Sequence, residues 1–183
     1  MAPSSMFCKV IAFASAVALC ASAGCALAEN PPPTYVSVSS AARVPPELLY
    51  AVAKTESNAK LNIGFYPWPW TLNVAGKSLR FNTQELACNA AMEAIRDKGG
   101  KSVDIGLGQL NWGYNGKNYF KHPCDSLDPL QNLQVAAYLL RGHYEATGDW
   151  IEAAGRYHRP AGGKPASIYR EMIRNRLEDM AKR

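Results

Sequence analysis

Apolar side chains recur at helical spacing in five stretches of the chain. Leu48, Leu49, Val52 and Ala53 form the first stripe, opened by Pro45-Pro46, which presets φ for a helix start. Leu86, Ala87, Ala90, Ala91, Ala94 and Ile95 follow Thr83, a cap residue, and stop near Gly99-Gly100. Asp128-Pro129 opens a third helix with Leu130, Leu133, Ala136, Ala137, Leu140 and Tyr144 inward, and Asp149 caps a shorter one with Trp150, Ala153, Ala154 and Tyr157. A last helix follows Pro165, with Tyr169, Met172, Ile173, Leu177 and Met180 expected inward. Between the first two stripes the pattern changes. Pro and Trp alternate over 67–70, then Thr71-Leu72-Asn73-Val74 and Ser78-Leu79-Arg80-Phe81 flank a Gly76 turn, the signature of a short hairpin. Residues 101–125 are rich in Gly and Asn and read as loop, and no internal repeat is present. The expectation is a mainly α domain with one small β-hairpin over residues 44–180, preceded by an extended Pro/Ser-rich linker at 29–43.

Residues 1–28 stand apart: one charge, Lys9, precedes nineteen uncharged residues that end in Ala26-Leu27-Ala28, a small-x-small cleavage site. A retained membrane anchor is the competing reading of that run. Its Ala, Ser and Cys content and its cleavage site favour a removed export signal, with Glu29 as the first mature residue and the periplasm as destination. The remaining 155 residues carry 19 basic and 15 acidic groups, a net charge of +4. Of five cysteines only Cys88 and Cys124 survive processing. An even pair in an exported chain reads as a disulfide, and no Cys-x-x-Cys or His-x-x-x-His spacing supports a metal site with His122 or His143 instead.

Three local features carry candidate chemistry. Glu56 continues the stripe Leu49, Val52, Ala53 at i+7, so its carboxyl is expected to project from a core-facing surface. A desolvated carboxyl there has a raised pKa, which suits a general acid. The alternative is that the helix already ends at Ser57-Asn58, leaving Glu56 at a solvated edge. Next, Gly106-Leu107-Gly108-Gln109 places an amide between close-approaching backbone, either as ligand contact or as a tight turn. Finally, Ala154-Gly155-Arg156-Tyr157-His158 puts a phenol and an imidazole at a helix end.

Glu56-Ser57, then Gly106-Leu107-Gly108-Gln109, then Ala154-Gly155-Arg156-Tyr157-His158, in this order and spacing, resemble the soluble lytic transglycosylase family, a lysozyme-like fold. Pro67-Trp68-Pro69-Trp70-Thr71-Leu72-Asn73-Val74 and Gly148-Asp149-Trp150 are similar to the small members that accompany conjugation and secretion machines, above all those of integrating conjugative elements. The resemblance covers residues 44–177. It implies Glu56 as the catalytic acid and then base, cutting the β-1,4 bond between N-acetylmuramic acid and N-acetylglucosamine. It also implies Ser57, Gly106, Leu107, Gly108, Gln109 and His158 along the sugar subsites, with Tyr157 orienting Glu56 or the substrate acetamido group. It implies no cofactor and no metal. The partners it implies are glycan strands of peptidoglycan and components of a type IV secretion or conjugation apparatus. The chain departs from the family at Gly108, where many relatives carry Met, a change expected to widen a subsite. His158 stands where many carry Asn.

A single carboxyl suffices for that chemistry, because a muramic sugar supplies its own acetamido oxygen and its own 6-hydroxyl, whereas ordinary glycoside hydrolysis uses two carboxyls. Asp104, the nearby second acid, reads as a turn residue before the Gly-rich segment. Were it to hold a water opposite Glu56, the enzyme would be a hydrolytic muramidase; a non-catalytic wall-binding assembly factor is the reading from outside enzymology. Trp68, Trp70, Trp112 and Tyr114 are rings that could stack on sugars; Trp68 and Trp70 are expected instead in core packing or loop closure, and Trp112, three residues after Gln109, is the candidate for a cleft. The basic residues are scattered without a run or a nucleic-acid motif, so DNA is not the expected partner.

Overall fold

A computed structural model describes residues 29–62 and 64–182; the expected export signal, residues 1–28, lies outside them. Its centre is the helix α2, Pro46–Glu56, in which every residue from Leu48 to Ala53 is buried, as is Lys54. A helix apolar on all sides must be enclosed on all sides. Helices α5 (Pro129–Thr147) and α7 (Gly163–Lys182) pack on it, and α6 (Trp150–His158) packs in turn on α5 and α7. Asp128 caps α5 by accepting from the Gln131 N–H at 2.8 Å, and Asp149 caps α6 by accepting from the Glu152 N–H at 2.7 Å, as the sequence predicts.

The same bundle includes a helix the sequence reading misses. Residues 33–42, expected as extended linker, form α1 (Pro33–Ala42), with Tyr35 and Val38 buried against the core and the Tyr35 ring edge-on to Tyr50 at 4.9 Å. Pro33 occupies the first helical position, where a missing N–H costs nothing, so the proline run is a helix start. Glu29 is tied to the bundle at three points. Its N–H donates to the Met180 carbonyl at 2.9 Å, and its carboxylate accepts from Tyr50 Oη at 3.2 Å and pairs with the buried Lys54 ammonium.

The second half of the molecule is a small antiparallel sheet covered by α3 (Gln84–Lys98). The predicted hairpin is there, as β3 (Thr71–Val74) and β4 (Lys77–Arg80). Its turn residues Ala75 and Gly76 both have positive φ, +50° and +87°, as a two-residue hairpin turn with the strand twist requires. There is more β structure than expected. A separate hairpin, β1 (Asn58–Leu61) with β2 (Gly64–Pro67), follows α2 directly. Within the stretch read as loop, β5 (Val103–Ile105) and β6 (Leu110–Asn111) extend the sheet to the order β4-β3-β5-β6. The same stretch also holds 3-10 turns over Gly100–Ser102 and Pro123–Leu127, a π-turn over Trp112–Gly116 and a helical turn α4 (Lys117–Tyr119). Leu72, Ala87, Ala91, Val103, Ile105 and Leu127 form this half's core.

Cys88 on α3 and Cys124 in the 3-10 turn are bonded as a disulfide, with Cα atoms 4.9 Å apart. The fold is therefore mainly helical with a small antiparallel sheet. Among the described residues no helix is long and apolar enough to cross a membrane.

Candidate active site

Glu56 is the last residue of α2, and Ser57 caps it, so the helix does end where the second sequence reading put its end. The carboxyl is nonetheless only 16% exposed. Burial pushes its pKa up to about 7 from the usual carboxylate range. Tyr169 opposes this, favouring the charged form, and the negative charge of Asp104 raises it further. The Tyr169 hydroxyl is buried against Glu56 without closing a well-formed hydrogen bond to any described residue.

One side of the carboxyl opens into a cleft of about 400 Å³, lined by Thr55, His158 and the first three turns of α7. His158 Nδ1 lies 4.0 Å from Glu56 Oε1, and its ring stacks flat on Tyr169 at 4.5 Å. Partial burial and the nearby Arg159 lower the imidazole pKa, which keeps it neutral at pH 7. His158 thus lines the cleft.

Asp104 and Tyr157 are also neighbours of Glu56: the negative charge of Asp104 raises the Glu56 pKa, and the Glu56 and Asp104 charges, after burial, push the Tyr157 phenol up and keep it neutral. Asp104 is not a turn residue. It lies on β5, opposite Asn73 on β3 and Asn111 on β6, and accepts from Asn111 Nδ2 at 2.8 Å. The misreading has a plain cause: a three-residue strand is too short to display alternation.

The glycine loop is built differently from the subsite lining that the resemblance implies. Gly106, Leu107 and Gly108 are buried, and none of them borders the cleft. Gly106 has φ +82°, and a Cβ there would collide with Asn132. A Cβ on Gly108 would come within 2.7 Å of both Ala136 Cβ and Tyr157 Oη. The missing side chain therefore brings α5 and Tyr157 close instead of widening a subsite. Tyr157 Oη donates to the Gly108 carbonyl at 2.6 Å. Gln109, at φ +46°, donates from Nε2 to the carbonyls of Thr71 (3.1 Å) and Gly106 (2.8 Å), so its amide locks the turn onto β3.

Ser57 is fully buried, its hydroxyl donating to the Ala53 carbonyl at 2.9 Å. Trp112, expected in the cleft, wedges between the two cores, against Gly100 and Gly116. Trp68 and Trp70, expected in the core, are both half-buried and pack edge-to-face at 5.6 Å; only Trp70 reaches a core, the smaller one, and Tyr114 is exposed beneath Lys101.

Two residues escaped the sequence reading. Asn132 on α5, wholly buried, accepts from the Gly108 N–H at 2.8 Å and donates to the carbonyls of Ile105 and Ser126 at 3.0 and 2.7 Å, tying the glycine loop to the helix. An Asn beside an apolar stripe was the available signal. Tyr169 was assigned only to the core, and nothing in its spacing marks it as a neighbour of Glu56.

Compared with protein-family models, curated proteins and solved structures, the chain matches none.

Proposed function

We propose that the protein is a lytic transglycosylase that cuts the N-acetylmuramic acid–N-acetylglucosamine bond of peptidoglycan and leaves 1,6-anhydromuramic ends. The observation that carries this reading is one carboxyl, Glu56, held largely dehydrated at a cleft with its pKa brought to about 7. Near neutrality such a group is populated in both forms, as an acid that must later act as a base requires. Protonated Glu56 gives its proton to the glycosidic oxygen as the bond to the muramic C1 breaks. The substrate's acetamido oxygen supports the cationic C1. The Glu56 carboxylate then takes the proton of the 6-hydroxyl as that oxygen bonds to C1, and no water is consumed.

The mature enzyme works in the periplasm, opening the wall locally for a secretion or conjugation apparatus. The Cys88–Cys124 disulfide is compatible with that oxidising compartment. A second reading has an observation of its own: the Asp104 carboxyl on β5 is near enough to Glu56 for its charge to raise the Glu56 pKa, and a hydrolytic muramidase uses a second carboxylate. Digestion of purified sacculi with the mature protein, followed by mass spectrometry of the fragments, separates the two: hydrolysis adds one water, about 18 Da, that transglycosylation does not. The expected result is anhydro ends from the wild type and none from Glu56→Gln. An undiminished lytic rate in that variant rules out Glu56 as the acid.

A further inference from the structure

The sequence reading places Met172 in the core, yet it is 47% exposed, and Ile168 one turn earlier is 52% exposed. With Lys164 they form a stripe at four-residue spacing on one face of α7, and all three line the cleft into which Glu56 opens. Lys164 forms no ion pair with any described residue, and Glu56 is the only acidic residue of the lining.

A sugar ring makes poor use of such a wall. Saccharides dock through hydroxyl hydrogen bonds and flat aromatic faces, and the aromatic ring nearest this stripe, Tyr169, has a face already covered by His158. Aliphatic side chains with an unpaired ammonium at one end suit a short chain of alkyl groups and carboxylates. A muramic sugar carries such a chain: its C3 oxygen bears a lactyl group extended by a peptide stem, on the same ring as the C1 that reacts. Eight residues of helix span about 12 Å, room for three or four extended peptide residues.

We propose that the Lys164–Ile168–Met172 stripe receives the peptide stem of the muramic sugar, with Lys164 Nζ on a stem carboxylate and Ile168 and Met172 against its alkyl groups. The assignment rests on the transglycosylase reading and deepens it: the substrate is stem-bearing glycan, and denuded strands are cut poorly.

The test compares glycan strands that carry their stems with strands stripped of them by an amidase. The wild type is expected to favour stem-bearing strands in kcat/KM by about tenfold or more, the scale of one charge-assisted hydrogen bond. Lys164→Glu is expected to lower that ratio about tenfold, and Met172→Asn to lower it by a smaller factor. A second measurement avoids turnover: soluble stem-bearing fragments should bind Glu56→Gln protein about tenfold tighter than stripped ones, a difference Lys164→Glu removes. A wild type that cuts both strands equally well, or a ratio untouched by Lys164→Glu, overturns the stem assignment and leaves the transglycosylase reading standing. A wild type that releases no anhydro ends from either strand, and binds neither fragment, overturns both.

Discussion

A carboxyl that is harder to ionise in the folded protein than in the unfolded chain makes stability depend on pH with a definite sign. The folded-state pKa of Glu56 is about 7 against 4.5 for a free glutamate side chain, so folding takes up a proton between those limits. Its contribution is fully present below about 4.5, declines as pH rises, and is gone above about 7. Glu56→Gln, neutral at every pH, should therefore match the wild type near pH 4 and be the more stable protein by up to about 3 kcal/mol at pH 8, as paired denaturant curves would record. A constant difference across that range would mean that Glu56 ionises normally. The same proton sets activity. If the protonated form starts the reaction, kcat/KM falls about tenfold per pH unit above a shoulder near 7. Tyr169 draws that value down and Asp104 raises it, so Tyr169→Phe should move the shoulder upward and Asp104→Asn downward. Shifts of the opposite sign in the pH–rate profile would refute this account of the site's electrostatics. The buried stripe that ends at Glu56 was legible in sequence, because burial of Leu49, Val52 and Ala53 fixes the direction of the next turn. Its two tyrosines and Asp104 come from distant segments that no local pattern links to it.

At the scale of elements, the Asn132 amide joins the Tyr157–Gly108 hydrogen bond in holding the sheet to the bundle beside the site. Asn132 is a turn into α5, and its three hydrogen bonds serve the Gly108 N–H and the carbonyls of Ile105 and Ser126. Asn132→Leu keeps the volume and leaves three buried backbone groups without their partner, at about 1–3 kcal/mol each, so a loss of more than about 3 kcal/mol is expected from thermal or urea unfolding. A loss below 1 kcal/mol would mean that water or a shifted loop replaces the amide. Helix starts were readable because caps are local: Pro46, Thr83, Asp128 and Asp149 each act within one turn of their own position. Elements of two or three residues, such as β5 and β6, have no period to read and exist because β3 offers an edge to β5 and β5 offers one to β6. The helix α1 was hidden by composition: its serines and prolines read as linker, while Tyr35, Val38 and Ala42 already stood at helical spacing.

The described residues form two cores of unequal size bridged by Trp112, and the disulfide belongs to the smaller one. The larger core packs α2 against α1, α5 and α7, with α6 behind them, and needs no staple. The smaller has six buried side chains, few to hold a four-stranded sheet, α3 and a 3-10 turn together. Closing the 36-residue separation between Cys88 and Cys124 is worth about 4 kcal/mol in chain-entropy terms, a lowering of about 10 °C in Tm when it is lost. The loss should fall unevenly. Hydrogen exchange followed by mass spectrometry, with and without reductant, should show amides of α3, β3 and β5 opening first, while those of α2 and α5 keep most of their protection. Because Asp104 rides on β5 and raises the Glu56 pKa, loosening that strand also weakens its hold on the acid, and the activity shoulder of the reduced protein should drift below 7. Equal acceleration of exchange in both halves would make the two cores one cooperative unit, with the disulfide stabilising the bundle as much as the sheet.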